Sequence, residues 1–277
     1  MRISRSTGQN VSLACVLVLL AAAPAGAADV YLAGTLGISS ATGDASGFNS
    51  LAGVSSSGSG DDSSPVYGSA LGILFPLNAA LPWRLRLPGF EIPYWPGRAL
   101  RYEGSEDASF PSWQTRFELE WLGGRSFDIS SPGANGSLPY RSDVSGSSVM
   151  AVLRLDVPIQ APITAMFGRI PVFEPLSIFG GGGVGVGFTD VKASDTVVYG
   201  SQDATSLAYQ VTAGLGYAFT ESVHWSVGWR YVDMGDVSMS LTDGLIDRGS
   251  FSIDLGAHEF TTALRFSFWR IPFLGGE

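Results

Sequence analysis

The sequence predicts an all-β chain, an antiparallel up-and-down transmembrane β-barrel of eight strands, with ten as the alternative count. Three observations predict it. The chain opens with an export signal, and no later segment has 18 consecutive apolar residues for a helical span. Eight later segments alternate apolar and polar residues with a period of two. The polar face of those segments carries charges that a lipid-facing wall would not tolerate. The competing architecture is a soluble two-sheet sandwich, which would bury the apolar face and wet the polar one.

The signal comes first. Arg2 and Arg5 precede the apolar run Val11–Ala23, Pro24 breaks it, and Ala25-Gly26-Ala27 has the small-x-small pattern of a cleavage site. The run is too short to cross a membrane. Cys15 does not read as a lipoprotein cysteine, because most of the apolar run follows it and Ser12 stands where leucine is needed. The expectation is Sec-type export with cleavage before Ala28. The processed chain would carry 14 basic against 25 acidic residues, a net charge of −11, no cysteine and two histidines. A disulfide scaffold and a Cys/His zinc cluster are excluded on those counts. No Lys/Arg-rich run offers a phosphate footprint, so nucleic acid is excluded as a partner.

The strands follow in order. Val30–Ser39 sets Leu32, Leu36 and Ile38 against Tyr31, Ala33 and Thr35, and Val66–Phe75 sets Tyr67, Leu71, Ile73 and Phe75 against Gly68, Ala70 and Gly72. Trp113–Phe127 opposes Phe117, Leu119 and Trp121 to Arg116, Glu118 and Glu120. Ser148–Ile159 opposes Val149, Leu153 and Leu155 to Arg154 and Asp156. Ile178–Phe188 has Val184, Val186 and Phe188 against Gly181, Gly183, Gly185 and Gly187. Leu207–Phe219 has Tyr209, Val211, Leu215 and Tyr217 against Gln210, Thr212 and Gly214. Val223–Met234 has Trp225, Val227, Trp229 and Tyr231 against Arg230, and Asp254–Phe268 has Phe260, Leu264, Phe266 and Phe268 against Glu259 and Arg265. Each segment reaches the 9–11 residues of a tilted membrane strand.

Energy sets which face points out. One Arg facing lipid near the midplane costs about 2–4 kcal/mol, so four would cost roughly 8–16 kcal/mol. Arg116, Glu118, Glu120, Arg154, Asp156, Arg230, Glu259 and Arg265 are therefore expected to face inward. Four arginines and four acids suggest mutual pairing in a barrel whose interior is just wide enough for side chains to fill. Two readings of that set stand: an ion-paired, closed plug, or a small diffusion porin whose selectivity these charges set. Trp113, Trp121, Trp225, Trp229, Phe268 and Trp269 read as membrane-interface anchors.

Connections alternate between the two ends. The segments 40–65, 129–147, 191–205 and 235–250 are rich in Ser, Gly and Asp and read as solvated loops on the outside. Thr220–Ser222 is a short turn on the inside. The inside turn 77–112 is long, and Pro82, Pro88, Pro93 and Pro96 disfavour strands there. Trp83–Leu87 and Ala99–Glu103 could form the extra hairpin of a ten-stranded barrel.

Other candidate chemistry is weak. Gly180–Gly185 matches G-x-G-x-x-G formally, but lies within an alternating strand with no helix after it, so no cofactor is expected. His224 begins one strand at the inner end and His258 begins another at the outer end, so the two do not share a site. No Ser/His/Asp arrangement has supporting context, and an enzyme is not expected. Asp61-Asp62, Asp243 and Asp247 read as solvated charges rather than metal ligands.

Several short segments together resemble the eight-stranded outer-membrane barrels of the OmpA-like, opacity-protein and major surface antigen families. They are Arg116-Phe117-Glu118-Leu119-Glu120, then 179–186, Leu207-Ala208-Tyr209-Gln210, Trp229-Arg230-Tyr231-Val232-Asp233, His258-Glu259-Phe260 and Leu264-Arg265-Phe266-Ser267-Phe268. Their order and spacing cover about 28–268. The resemblance implies an integral outer-membrane protein of a Gram-negative bacterium, in contact with outer-membrane lipid and lipopolysaccharide. It implies insertion by the barrel-assembly machinery, which reads terminal-strand aromatics such as Phe266 and Phe268. It also implies variable surface loops that could meet a host or surface ligand. The chain departs from the pattern by continuing through 269–277 as a short extension and by the long turn 77–112. The expected role is non-enzymatic surface interaction, adhesin- or antigen-like.

Overall fold

A wall in contact with hydrocarbon must satisfy its own backbone polar groups, and a ring of strands without edges does so. The computed structural model describes residues 28–50, 53–76, 113–131, 140–160, 163, 170–194, 198–244 and 246–271. Eight antiparallel strands close into one barrel in chain order. They are β1 (Ala28–Asn49), β2 (Val54–Pro76), β3 (Gln114–Ser131), β4 (Tyr140–Pro158), β5 (Leu176–Ser194), β6 (Tyr199–Ala218), β7 (Val223–Thr242) and β8 (Asp247–Ile271). β1 closes the ring against β8, from Ala28 opposite Ile271 to Asn49 opposite Gly249. β2 pairs directly with β3, so the strand count is eight and not ten. The segments 83–87 and 99–103 lie outside the described residues, as does the expected signal at 1–27.

The expected outer loops are largely strand, which corrects their reading as irregular segments. β1 continues to Asn49 and β2 begins at Val54, and β3, β4, β7 and β8 likewise run through most of 129–147 and 235–250. β5 runs to Ser194 and β6 starts at Tyr199. Strands of 18–25 residues are about twice what a membrane requires. β8 also runs past Phe268 to Ile271, so part of the expected C-terminal extension is wall. The end that holds Ala28 and Ile271 is the lower end below, and the hairpin tips are the upper end.

In the lower part of the strands most large apolar side chains face out, with Tyr31, Leu74 and Phe179 as inward exceptions. Leu36, Leu71, Leu119, Leu153, Val184, Val211, Val227 and Phe260 are exposed, and the charges face in. In the upper part the polarity is reversed. Phe127, Ile129, Val144, Val191, Val237, Met239, Leu241, Phe251, Ile253 and Leu255 are buried in one apolar cluster. Ser46, Asp44, Asp128, Asp143, Ser238, Asp254 and Ser250 point outward from the same strands. The cluster reaches lowest on β4, at Met150 and Val152.

Two bulges mark the level of the change. On β3, Leu122 pairs with Ser148 and Arg125 with Gly146, so two β3 residues oppose one of β4. On β7, Asp233 pairs with Gly256 and Asp236 with Asp254. Gly124 (φ 86°) and Gly235 (φ 76°) supply the left-handed backbone that each bulge uses. Above the bulges two ladders part. The β2–β3 ladder ends at Tyr67 opposite Gly123, and the β6–β7 ladder breaks between Tyr209 opposite Asp233 and Tyr199 opposite Thr242. Side chains bridge the first gap: Ser126 N donates to Ser64 Oγ at 2.9 Å and Asp128 N to Asp62 Oδ2 at 2.7 Å. Ser206 Oγ donates to the Met234 carbonyl across the second. The upper wall thus consists of two four-stranded sheets, β7-β8-β1-β2 and β3-β4-β5-β6, over an apolar core.

Candidate functional site: a charge ladder in the lower barrel

The inward charges form a single chain of contacts. Arg265 Nη1 stands 3.6 Å from Asp156 Oδ2, and Arg116 Nη2 binds Asp156 Oδ1 at 2.7 Å. Arg116 Nη1 reaches Glu118 at 3.0 Å, and Glu118 Oε2 meets Arg154 Nη1 at 3.0 Å. Arg154 then contacts Glu120 at 3.4 Å, and Glu120 holds Arg230 at 3.0 Å. Arg230 binds Glu259 at 2.6 Å, and Glu259 binds Arg125 Nε at 2.7 Å. Every acid therefore bridges two arginines, and the chain ends on an arginine at both ends.

Neutral groups satisfy further acceptors and donors of the ladder. Tyr31 OH donates to Glu118 Oε1 at 2.6 Å, Gln210 Nε2 donates to Glu120 Oε2 at 2.8 Å, and Arg125 Nη1 donates to Ser148 Oγ at 3.2 Å. The Phe179 ring lies 5.4 Å from the Arg116 guanidinium and 5.9 Å from that of Arg154. The glycines of β5 make space for these long side chains: a Cβ on Gly181 would stand 2.8 Å from Arg154 Cγ. The G-x-G-x-x-G run thus lines the lumen as wall.

All eight charged residues read from the sequence as inward point into the barrel, and seven of them are below 8 % exposed. Arg125 was not among them. Parity counted from Arg116, Glu118 and Glu120 sends an odd-numbered residue of β3 outward, but the bulge at Gly123-Gly124 shifts the parity and turns Arg125 in. The glycine pair was the available sign of that bulge. Its side chain and that of Glu259 are fully buried (0 % each) directly beneath the apolar cluster.

The aromatic residues lie on the outer wall. Trp121, Tyr67 and Tyr209 are exposed near the level of the bulges, and Trp113, Trp225, Phe268 and Trp269 are exposed toward the lower end. Tyr67 and Trp121 meet edge to face at 5.9 Å, and Trp225 Nε1 donates to Thr262 Oγ1 at 2.8 Å. Trp229 is part-buried and stacks on His258 with ring centroids 5.7 Å apart. Phe266 and Phe268 both face outward on β8. His224 faces the lower mouth, whereas His258 is on the outer face near the bulge level. No group of three or more His, Cys, Asp or Glu with metal-binding geometry occurs among the described residues.

The upper outer surface is acidic. Asp128 opposes Asp143 across β3–β4, Asp44 and Asp236 both oppose Asp254, and Asp190 opposes Asp203. Like charges facing across strands are destabilising. A hydrogen bond shared with Asp143, and then the Asp143 charge, hold the Asp128 carboxyl above its ordinary pKa. Asp254 is raised first by burial and then by Asp236 and Asp233.

No family model matches the sequence. No curated protein matches it either. Solved structures similar to it include Neisserial surface protein A, at 13 % identity over 88 % of this chain and 99 % of that one, with a TM-score of 0.37. OprG from Pseudomonas aeruginosa is 12 % identical over 89 % and 98 %, with a TM-score of 0.41. The protease OmpT from Escherichia coli is 10 % identical over 87 % and 97 %, with a TM-score of 0.39. Likenesses this distant carry no weight here, and the eight-stranded ring rests on the strand pairings themselves.

Proposed function

We propose that this chain is an integral outer-membrane barrel, closed to ions, whose upper half is a rigid surface platform with a non-enzymatic role in surface contact. One observation carries the reading: an apolar core spanning the upper barrel lies on top of a continuous ladder of ion pairs. An ion moving along the axis would have to leave the ladder and enter a medium without polar partners, which costs several kcal/mol or more. The lower outer wall supports the membrane assignment, because it presents aliphatic residues between two aromatic zones. Phe266 and Phe268 would be read by the barrel-assembly machinery, and the lower belt would meet outer-membrane lipid. Lipopolysaccharide would surround the acidic level above it, and any surface ligand would meet the upper end of the barrel.

The test is planar-bilayer conductance of the refolded protein, with Arg154→Ala alongside and folding checked for both. The expected result is silence from folded wild-type protein. Discrete openings whose ion selectivity changes in the variant would replace the closed platform with a diffusion pore.

A further inference from the structure

We infer that the lower mouth of the barrel binds a small anion that completes the charge ladder. This does not rest on the proposed surface role. The ladder holds five arginines (Arg116, Arg125, Arg154, Arg230, Arg265) against four carboxylates (Glu118, Glu120, Asp156, Glu259), a surplus of one positive charge among the described inward residues below the apolar core. Four carboxylates each shared by two arginines leave the two end arginines half-compensated. At the upper end Arg125 is sealed under the apolar cluster with short bonds to Glu259 and Ser148. At the lower end Arg265 is far less well held. Among the described residues its sole carboxylate contact is the 3.6 Å approach to Asp156 Oδ2, on a carboxylate whose other oxygen binds Arg116 at 2.7 Å. Each arginine of the ladder leaves one buried nitrogen without a hydrogen-bond partner, Nε in Arg265, but Arg265 alone has no carboxylate contact within 3.5 Å among the described residues, and its guanidinium otherwise lies over the Tyr31 ring at 5.2 Å.

Arg265 is only 7 % exposed, and a guanidinium stays charged when buried. A buried cation with a half-share of one carboxylate calls for a counter-ion. The place for one lies next to it. His224 sits opposite Arg265 across β7–β8, and Ser267 is the next inward residue below Arg265 on β8. Both line a cavity of about 300 Å³ that opens at the lower end and includes Gln114 and Thr220; Arg265 is their neighbour on the sheet and not part of the lining itself. The one acid on its wall strand, Asp29, is neutralised by Arg270 at 2.8 Å. The remaining acid, Glu221, is exposed in the turn. Hydroxyl, amide and imidazole donors beside an under-compensated guanidinium suit chloride or a small carboxylate. The shared chemistry is a compact anion accepting several hydrogen bonds.

The processed chain refolded in detergent tests this. Chloride is titrated against gluconate at constant ionic strength, acetate and phosphate are titrated the same way, and the temperature at which the folded species is lost is read on gels. The expected result is a saturable rise of a few degrees with chloride or acetate. Arg265→Gln balances the ladder at four against four, so it should fold and lose that rise. Gln114→Leu keeps the ladder and changes only the cavity wall, so it should raise the half-saturating concentration severalfold. Chloride-35 line broadening gives a second readout: it should be present with wild type and absent with Arg265→Gln. No saturable rise in wild type, or the same rise in Arg265→Gln, overturns the inference. A response to phosphate alone would replace the compact monovalent anion with a phosphate group.

Discussion

The two halves of this barrel use the same strands in opposite senses. On β8, residues 258–268 turn Phe260, Leu264, Phe266 and Phe268 outward and Glu259 and Arg265 inward. Four residues higher, the strand turns Ser250 and Asp254 outward and Phe251, Ile253 and Leu255 inward. From Gly249 to Ser267 the pleat is continuous and the pairing with β1 holds without a register shift. What differs is the medium outside the wall. In the lower half the interior is the only place where a charge can find partners; in the upper half it is the only place where an apolar side chain can escape water. A strand fixes which side chains share a face, and the surroundings decide which face takes the charges.

The sharpest way to break the comparison is to give the upper core what the lower core requires. Ile253→Asp places a carboxylate among Phe251, Leu255 and Val237, in a cluster whose described members carry no charge, and Ile253 is 1 % exposed. The expected outcome is loss of the folded upper half or of the whole barrel, since an unpaired buried charge costs several kcal/mol. Ser252→Asp, one residue away on the outward face, should leave the urea unfolding midpoint nearly unchanged. Equal effects from the two would mean that the upper interior is wet, and the closed-barrel reading would fail with it.

The converse experiment removes a charge from below. Glu120 contacts Arg154, Arg230 and Gln210, so Glu120→Ala leaves two arginines with one carboxylate each. The expected cost is about 3–5 kcal/mol, the range for breaking a buried pair from one side. The double variant Glu120→Ala with Arg154→Met should recover part of it, because the charge imbalance returns to its original value. A double variant no better than the single would mean that the ladder acts by packing and not by charge.

Much of the lower half was legible in the sequence because its alternation is strong: Phe117, Leu119 and Trp121 against Arg116, Glu118 and Glu120 leave one assignment that lipid permits. The ladder's members followed from that parity, although their order along the axis did not, since contacts such as Arg125 to Glu259 join residues far apart in sequence. The upper half was misread for a physical reason. On β1, Ala41, Gly43, Ala45 and Gly47 face inward and Ser40, Thr42, Asp44 and Ser46 face outward, so the wall has the composition of a solvated loop. On β7 and β8 the sign was present. Val237, Met239 and Leu241 alternate with Asp236, Ser238 and Ser240, but on the parity opposite to a lipid-facing belt. Arg125 was lost through the same blind spot, a bulge that changes parity without changing composition.

The smallest effect concerns the outer face, where the upper half bears facing acids. Asp128 lies opposite Asp143, and its carboxyl is held above the ordinary value by the hydrogen bond and charge of that neighbour. The folded chain therefore binds this proton more tightly than the unfolded chain. Its contribution to stability is fully present below the ordinary carboxylate value of about 3.9 and is lost as pH rises through the higher folded-state value. At neutral pH the pair is a modest liability, since both groups are ionised and solvent screens them. Asp128→Asn removes it. The variant should unfold at a slightly higher urea concentration than wild type at pH 7, and the difference should shrink as the pH is lowered through the raised folded-state pKa. A difference that is constant across that range would assign the effect to the 2.7 Å contact between Asp128 N and Asp62 at the β2–β3 gap instead of the facing acid.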